Sequence, residues 1–205
     1  MNAIVDVEAS ERAGWRAIDV ARALVAGGAT FLQLRAKTMA SGALLDLAAA
    51  IAEIAHGAGA QLIVNDRADI ARLAGADGVH VGQDDLSPGA VRRIVGDEMI
   101  VGVSTHTVEQ LDAACREPID YAAVGPVFKT TSKVTGYTER GVELVREAAR
   151  RASPIPLVAI GGVTLETAPS VIDAGAASVA VISDLLITGD PEARTRTFLE
   201  RLNAI

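Results

Sequence analysis

The stretch "AGADGVHVG", Ala74 to Gly82, reads as a helix end, a turn at Gly75 and a buried strand that opens at Gly78. A near copy of this joint, "AGAASVAVIS", runs from Ala174 to Ser183. Apolar runs of strand length recur on either side of the two. They are "AIVDV" from Ala3, "TFLQLRA" from Thr30, "QLIVND" from Gln61, "MIVGVST" from Met99, "YAAVGP" from Tyr121 and "PLVAIGG" from Pro156. With "GVHVGQ" from Gly78 and "SVAVIS" from Ser178 they make eight.

Helical signals fill the gaps between these runs. Thr107 to Gln110 fits a capping box, while Ser87-Pro88 and Asp190-Pro191 are N-cap and first-turn pairs. Helices are expected to end at Gly27, Gly59, Gly75 and Gly175, where a left-handed residue is wanted. Pro169 blurs the start of the seventh helix, and the helix after the sixth strand is expected near Glu139. Strict alternation of strand and helix gives a parallel sheet with helical crossovers. In 205 residues the economical closed form is a (β/α)8 TIM barrel, an α/β fold in one domain spanning residues 1–205. An open doubly wound sheet would want a glycine fingerprint after its first strand, and "VDVEASERAG" has none.

Composition supports that choice. Half the residues are hydrophobic but only 3% are aromatic, so Ala, Val, Ile and Leu must build the core, as they do around buried parallel strands. No run approaches the roughly 20 apolar residues that cross a bilayer. The N-terminus carries Asp6 and Glu8 and no basic segment, unlike a secretory signal. The one cysteine, Cys115, suits a reducing compartment. A net charge of −7 without basic clusters argues against nucleic acid as a partner. The expectation is a soluble, cytoplasmic protein with small-molecule partners and no membrane; a homo-oligomer is compatible with this reading.

In a barrel of this kind, function gathers where strands end and helices begin. Gln33, Arg35 and Lys37 alternate at the end of strand 2, so all three can project to the same side. Strand 3 ends in Asn65-Asp66, strand 4 carries His80 and runs into Gln83-Asp84-Asp85, and strand 5 ends in Ser104-Thr105-His106. Strand 6 opens the loop "GPVFKTTSKVTGY", Gly125 to Tyr137, with Lys129, Thr130, Thr131, Ser132, Lys133 and Thr135. Gly161-Gly162 follow strand 7, and Ser183 follows strand 8. Singly, each has an ordinary reading: rim ion pairs for Arg35 and Lys37, helix N-caps for Asp66 and Asp85, a satisfied interior histidine for His80, and a structural place for His106. Together they suit a metal-bound phosphate ester. Two carboxylates on adjacent strands fit Mg²⁺, which takes one or two protein carboxylates and leaves the rest to water and phosphate. Arg35, Lys37 and Lys133 would balance a diphosphate, and Gly161-Gly162 with Ser183 would hold a second phosphate on backbone N–H groups.

Six pieces are similar, in order and spacing, to the thiamine phosphate synthase family: "LQLRAK", "VNDRADIA", "GVHVGQDD", "GVSTHT", "GPVFKTTSK" and "VAIGGV". The resemblance runs from about Leu32 to Ser183. It implies a (β/α)8 transferase that joins 4-amino-5-hydroxymethyl-2-methylpyrimidine diphosphate to a thiazole monophosphate, giving thiamine phosphate and diphosphate. It implies that Gln33, Arg35, Lys37, Asn65 and Lys133 bind the pyrimidine diphosphate, with Ser104 on the pyrimidine side. Asp66 and Asp85 would hold Mg²⁺, and Thr130, Thr131, Ser132, Gly162, Ile182 and Ser183 would hold the thiazole phosphate. Lys133, Ser104 and Arg35 would stand nearest the chemistry. Strand 1 departs from the family's frequent Thr-Asp ending, which leaves its contribution open, and Ser132 stands where threonine is common. Rival readings are a thiazole tautomerase working through a histidine, a phosphosugar isomerase, and a non-catalytic phosphate-ligand sensor.

Overall fold

The computed structural model describes residues 1–130 and 136–204. Eight parallel strands close a barrel in sequence order, β1 pairing with β8. They are β1 (Asn2–Asp6), β2 (Phe31–Arg35), β3 (Gln61–Asn65), β4 (Gly78–Val81), β5 (Ile100–Thr105), β6 (Tyr121–Val124), β7 (Leu157–Ile160) and β8 (Ser178–Val181). Each apolar run read from the sequence contains one of them, except that β1 begins one residue before its run, at Asn2.

Helices α1 (Val7–Arg12) and α2 (Ala17–Ala26) follow β1. One helix lies in each later crossover: α3 (Ser41–Gly57), α4 (Ala68–Leu73), α5 (Pro88–Val95), α6 (Val108–Ala114), α7 (Gly141–Ala152) and α8 (Ala168–Asp173). A 3-10 turn (Ser183–Leu185) and α9 (Pro191–Asn203) complete the ring. The hydroxyls of Ser87 and Thr107 and the carboxylate of Asp190 accept from the third residue onward, as N-caps do. The Gln110 carbonyl returns to the N–H of His106 rather than that of Thr107, so the capping box closes one residue early. Pro169 sits in the first turn of α8, where its missing N–H costs nothing, and α7 begins two residues beyond Glu139.

The joint at Ala74–Gly82 is built as its sequence suggests. Gly75 and Gly175 are left-handed, at φ 67° and 104°, and the next residue's N–H returns to the helix. Gly27 departs from expectation with φ −74°, and the left-handed residue is Gly28. Gly27 is small for another reason: a Cβ there would lie 2.6 Å from the Glu192 carbonyl oxygen on α9.

Two cores result. The large one lies between the strands and the helices, and a small one, with Ile4, Tyr121, Ala123, Val158 and Ala180, fills the barrel interior. Above that inner plug the barrel is polar, which opens its C-terminal end to ligands. No helix among the described residues is long and apolar enough to cross a membrane.

Candidate active site

At the C-terminal ends of the strands a cavity of about 260 Å³ opens. Gln33, Arg35, Asn65 and Ser104 line one side, and Thr130, Gly162, Ile182 and Ser183 the other. Described residues from both expected phosphate groups therefore face one space. Lys37, Asp66 and Asp85 are not among the residues that line it. Thr131, Ser132 and Lys133 lie outside the described residues.

Strand 1 contributes more than the sequence indicated. Asp6, at its end, is buried, accepts the N–H of Ala9 at 2.8 Å to cap α1, and forms an ion pair with Arg35. Neighbouring register places Asp6 beside Arg35 across β1 and β2. The guanidinium is thus held at the cavity wall by the buried Asp6 carboxylate, and not by Asp66 or Asp85. Lys37 takes the rim pairing instead: its ammonium bonds to Asp66. The Lys37 N–H and the Thr38 hydroxyl both bond to Glu8 of α1 at 3.1 Å, which ties down the loop after β2.

Neither metal-candidate aspartate is a helix N-cap. Helix α4 starts at Ala68 after Arg67, and Ser87 caps α5. Asp66 has φ 64°, the one non-glycine residue with positive φ among those described. An aspartate tolerates that conformation far better than a branched residue does. Burial pushes the Asp66 carboxyl above the usual carboxylate range, the Lys37 hydrogen bond pulls it back, and the Asp85 carboxyl beside it pushes it up again. Asp85 is oriented by the Gly82 N–H at 2.8 Å. The two carboxylates are in contact, and Asp66 is partly desolvated. Among the described residues no group of three or more acidic, histidine or cysteine side chains stands ready to hold a metal. The pair nonetheless fits Mg²⁺, which completes its shell from phosphate oxygens and water.

The opposite wall is made by backbone. Gly161 and Gly162 have φ 98° and 65°, and a Cβ on Gly162 would lie 2.4 Å from the Lys129 carbonyl oxygen. This close approach lets the loop after β6 pack on the loop after β7. Gly162→Ala is expected to cost at least about 1–2 kcal/mol from left-handed strain alone, before the collision is counted. A denaturant midpoint equal to that of the wild type would contradict this. Asp184, next to Ser183, accepts from the Arg194 guanidinium at 2.6 Å and from the Leu165 N–H at 3.1 Å. Arg194 of α9 thereby fastens the loops after β7 and β8 together.

Lys129 and His106, which the sequence placed at strand ends without a binding role, line the cavity. Lys129 lines the wall, although Lys133 alone was assigned to the anion; both stood in the same loop and the signal was available. His106 also faces the cavity, with Nδ1 2.5 Å from the Gly125 carbonyl oxygen and its ring stacked on Tyr137 at 4.4 Å. Its structural place is thus at the site rather than away from it. His80 is the satisfied interior histidine expected, and its partners are Tyr121 and Ser104.

A closed eight-stranded barrel with cations, paired carboxylates and glycine-walled loops at the C-terminal face of its strands is the architecture of phosphate-binding barrel enzymes. The TMP-TENI family, described as thiamine monophosphate synthase, matches residues 2–185. The chain belongs to that family. It is similar to a thiamine-phosphate synthase of Koribacter versatilis, 50% identical over 90% of this chain and 85% of that one. A thiamine-phosphate synthase of Roseiflexus castenholzii is 45% identical, covering 89% of this chain and 80% of its own length. Among solved structures, a thiamine phosphate pyrophosphorylase from Pyrococcus furiosus superposes with TM-score 0.87 and 27% identity, over 99% of this chain and 95% of that one.

Proposed function

We infer that this chain is a transferase that joins 4-amino-5-hydroxymethyl-2-methylpyrimidine diphosphate to a thiazole monophosphate, releasing inorganic diphosphate and forming thiamine phosphate. The observation that carries the reading is the single cavity. It is walled on one side by Gln33, Arg35 and Asn65 and on the other by Gly162, Ile182 and Ser183, so two phosphorylated substrates can meet in it. Family membership and the names of the relatives support the same chemistry.

The reaction breaks the bond between the pyrimidine methylene carbon and the diphosphate oxygen, and the electron pair leaves with the diphosphate. The amino group of the ring stabilises the methylene cation left behind. The thiazole nitrogen then supplies the pair for the new C–N bond. No proton need be removed in that step, so the demand is for charge stabilisation and dryness more than for a general base. Arg35, which lines the cavity, and Lys37 would meet the charge of the departing diphosphate, together with Lys133. Asp66 and Asp85 would hold Mg²⁺, which when bound offsets charge on the diphosphate oxygens. Gln33, Asn65 and Ser104 would orient the pyrimidine. Thr130, Gly162, Ile182 and Ser183, with Thr131 and Ser132 from the same loop, would seat the thiazole phosphate. Asp6 acts through Arg35 and does not itself reach substrate.

The metal role has a direct test. Chelation is expected to lower thiamine phosphate formation by about 10²–10³-fold, the scale of losing one charge-stabilising group, and Mg²⁺ should restore it. Full turnover in excess chelator would remove Asp66 and Asp85 from this role.

A further inference from the structure

Beneath the cavity, four polar side chains from four strands meet inside the barrel. His80 on β4 has Nδ1 2.8 Å from the Tyr121 hydroxyl on β6 and Nε2 2.8 Å from the Ser104 hydroxyl on β5. The Gln33 side chain on β2 lies near enough to the same Tyr121 hydroxyl to favour its ionised form. All four are buried, between 3% and 6% exposed. Gln33, His80 and Ser104 line the cavity, and Tyr121 lies behind them. The ring reaches that place because β5 carries Gly102, where a Cβ would fall 2.1 Å from the Tyr121 Cζ. Tyr121 and His80 also stack, with ring centroids 5.4 Å apart.

The direction of these hydrogen bonds follows from chemistry. A neutral imidazole has one N–H and one bare nitrogen, so only one of its two hydroxyl neighbours can donate to it. The phenol, with an ordinary pKa near 10, is a far better donor than an aliphatic hydroxyl. Burial pushes the phenol's pKa higher still, with the Gln33 side chain opposing, so it keeps its proton. Tyr121 O–H therefore donates to Nδ1, and the proton of His80 sits on Nε2. That N–H donates to Ser104 Oγ, and the serine's own hydrogen is left to turn toward the cavity.

We propose that Tyr121 and His80 are positioning residues that hold the Ser104 hydroxyl as a donor into the cavity, where a ring nitrogen of the aminopyrimidine accepts it. This rests on the function inferred above and adds a reason for substrate orientation. With the relay reversed, Ser104 would present lone pairs to the lone pair of a ring nitrogen, and the pyrimidine would be repelled. A buried relay fixed from behind also needs no reorganisation when substrate arrives.

The chain has three histidines, so the ring-nitrogen spectrum of ¹⁵N-imidazole-labelled protein is simple to assign. In the free wild type, His80 is expected to be neutral with its proton on Nε2. In Tyr121→Phe, Nδ1 loses its donor and the tautomers should mix. The same variant should lose about 10–100-fold in kcat/KM for the pyrimidine diphosphate, as loss of an orienting partner typically does, while the KM for the thiazole phosphate stays within about twofold. In a Ser104→Ala background the Tyr121→Phe change should have almost no further effect, because the relay acts only through that hydroxyl. A purely structural role would instead give the same penalty in both backgrounds, and that result overturns the proposal. So does an Nδ1-protonated His80 in the wild type, a measurement that stands even if Tyr121→Phe fails to fold. An Nε2-protonated His80 in a chain that makes no thiamine phosphate would overturn the inferred function and the substrate half of the proposal, so the two failures are distinguishable.

Discussion

Asp66→Asn is expected to lower kcat/KM by about 10²–10³-fold while leaving the protein folded. The separation of activity from stability follows from geometry. Asparagine tolerates φ near 64° as well as aspartate does, so the backbone at the end of β3 has no reason to move. The substitution removes a carboxylate that burial and Asp85 already disfavour in its ionised form. A carboxyl whose pKa is raised on folding opposes folding once the pH is high enough to ionise it. The melting temperature of Asp66→Asn at neutral pH is therefore expected not to fall, in keeping with a site tuned for function at the expense of stability. Steady-state rates at saturating Mg²⁺, with a thermal melt, check both halves. Wild-type kcat/KM in this variant would contradict the metal assignment.

The second large effect is on Arg35. Arg35→Met keeps the aliphatic stem but leaves the Asp6 carboxylate, 2% exposed, without its cation. Removing one partner of a buried pair typically costs about 3–5 kcal/mol. The lower end is expected here, because Asp6 keeps its hydrogen bond from the Ala9 N–H. Activity should fall with stability, since the cavity loses a cation. The double variant Asp6→Asn with Arg35→Met separates the two: stability should largely return, and activity should not. Equilibrium denaturation and rate measurements on the pair test this, and a double variant with restored turnover would exclude Arg35 from the chemistry.

What the sequence could reveal follows from the range of the interactions. The barrel was legible because each strand is a local apolar run and each helix start is a local cap, as at Ser87, Thr107 and Asp190. Helix α1 was not, because six residues after a strand carry too little periodicity to stand out. The strand-end residues that line the cavity, such as Gln33, Arg35 and Asn65, were legible from position and charge. The pairing of Asp6 with Arg35, 29 residues apart, was not, because parallel register sets it. Tyr121 read as ordinary core since it opens an apolar strand. Its hydroxyl matters only because Gly102, on the next strand, clears a path to His80. Arg194 and Asp184 met only when α9 closed the ring.

The most direct measurement is product analysis on the purified chain with Mg²⁺ and both substrates, resolving thiamine phosphate and inorganic diphosphate by chromatography. The two products are expected in equal amounts, and only when both substrates are present. Isomerised thiazole phosphate with no thiamine phosphate, or both ligands bound with no product at all, would contradict the transferase reading.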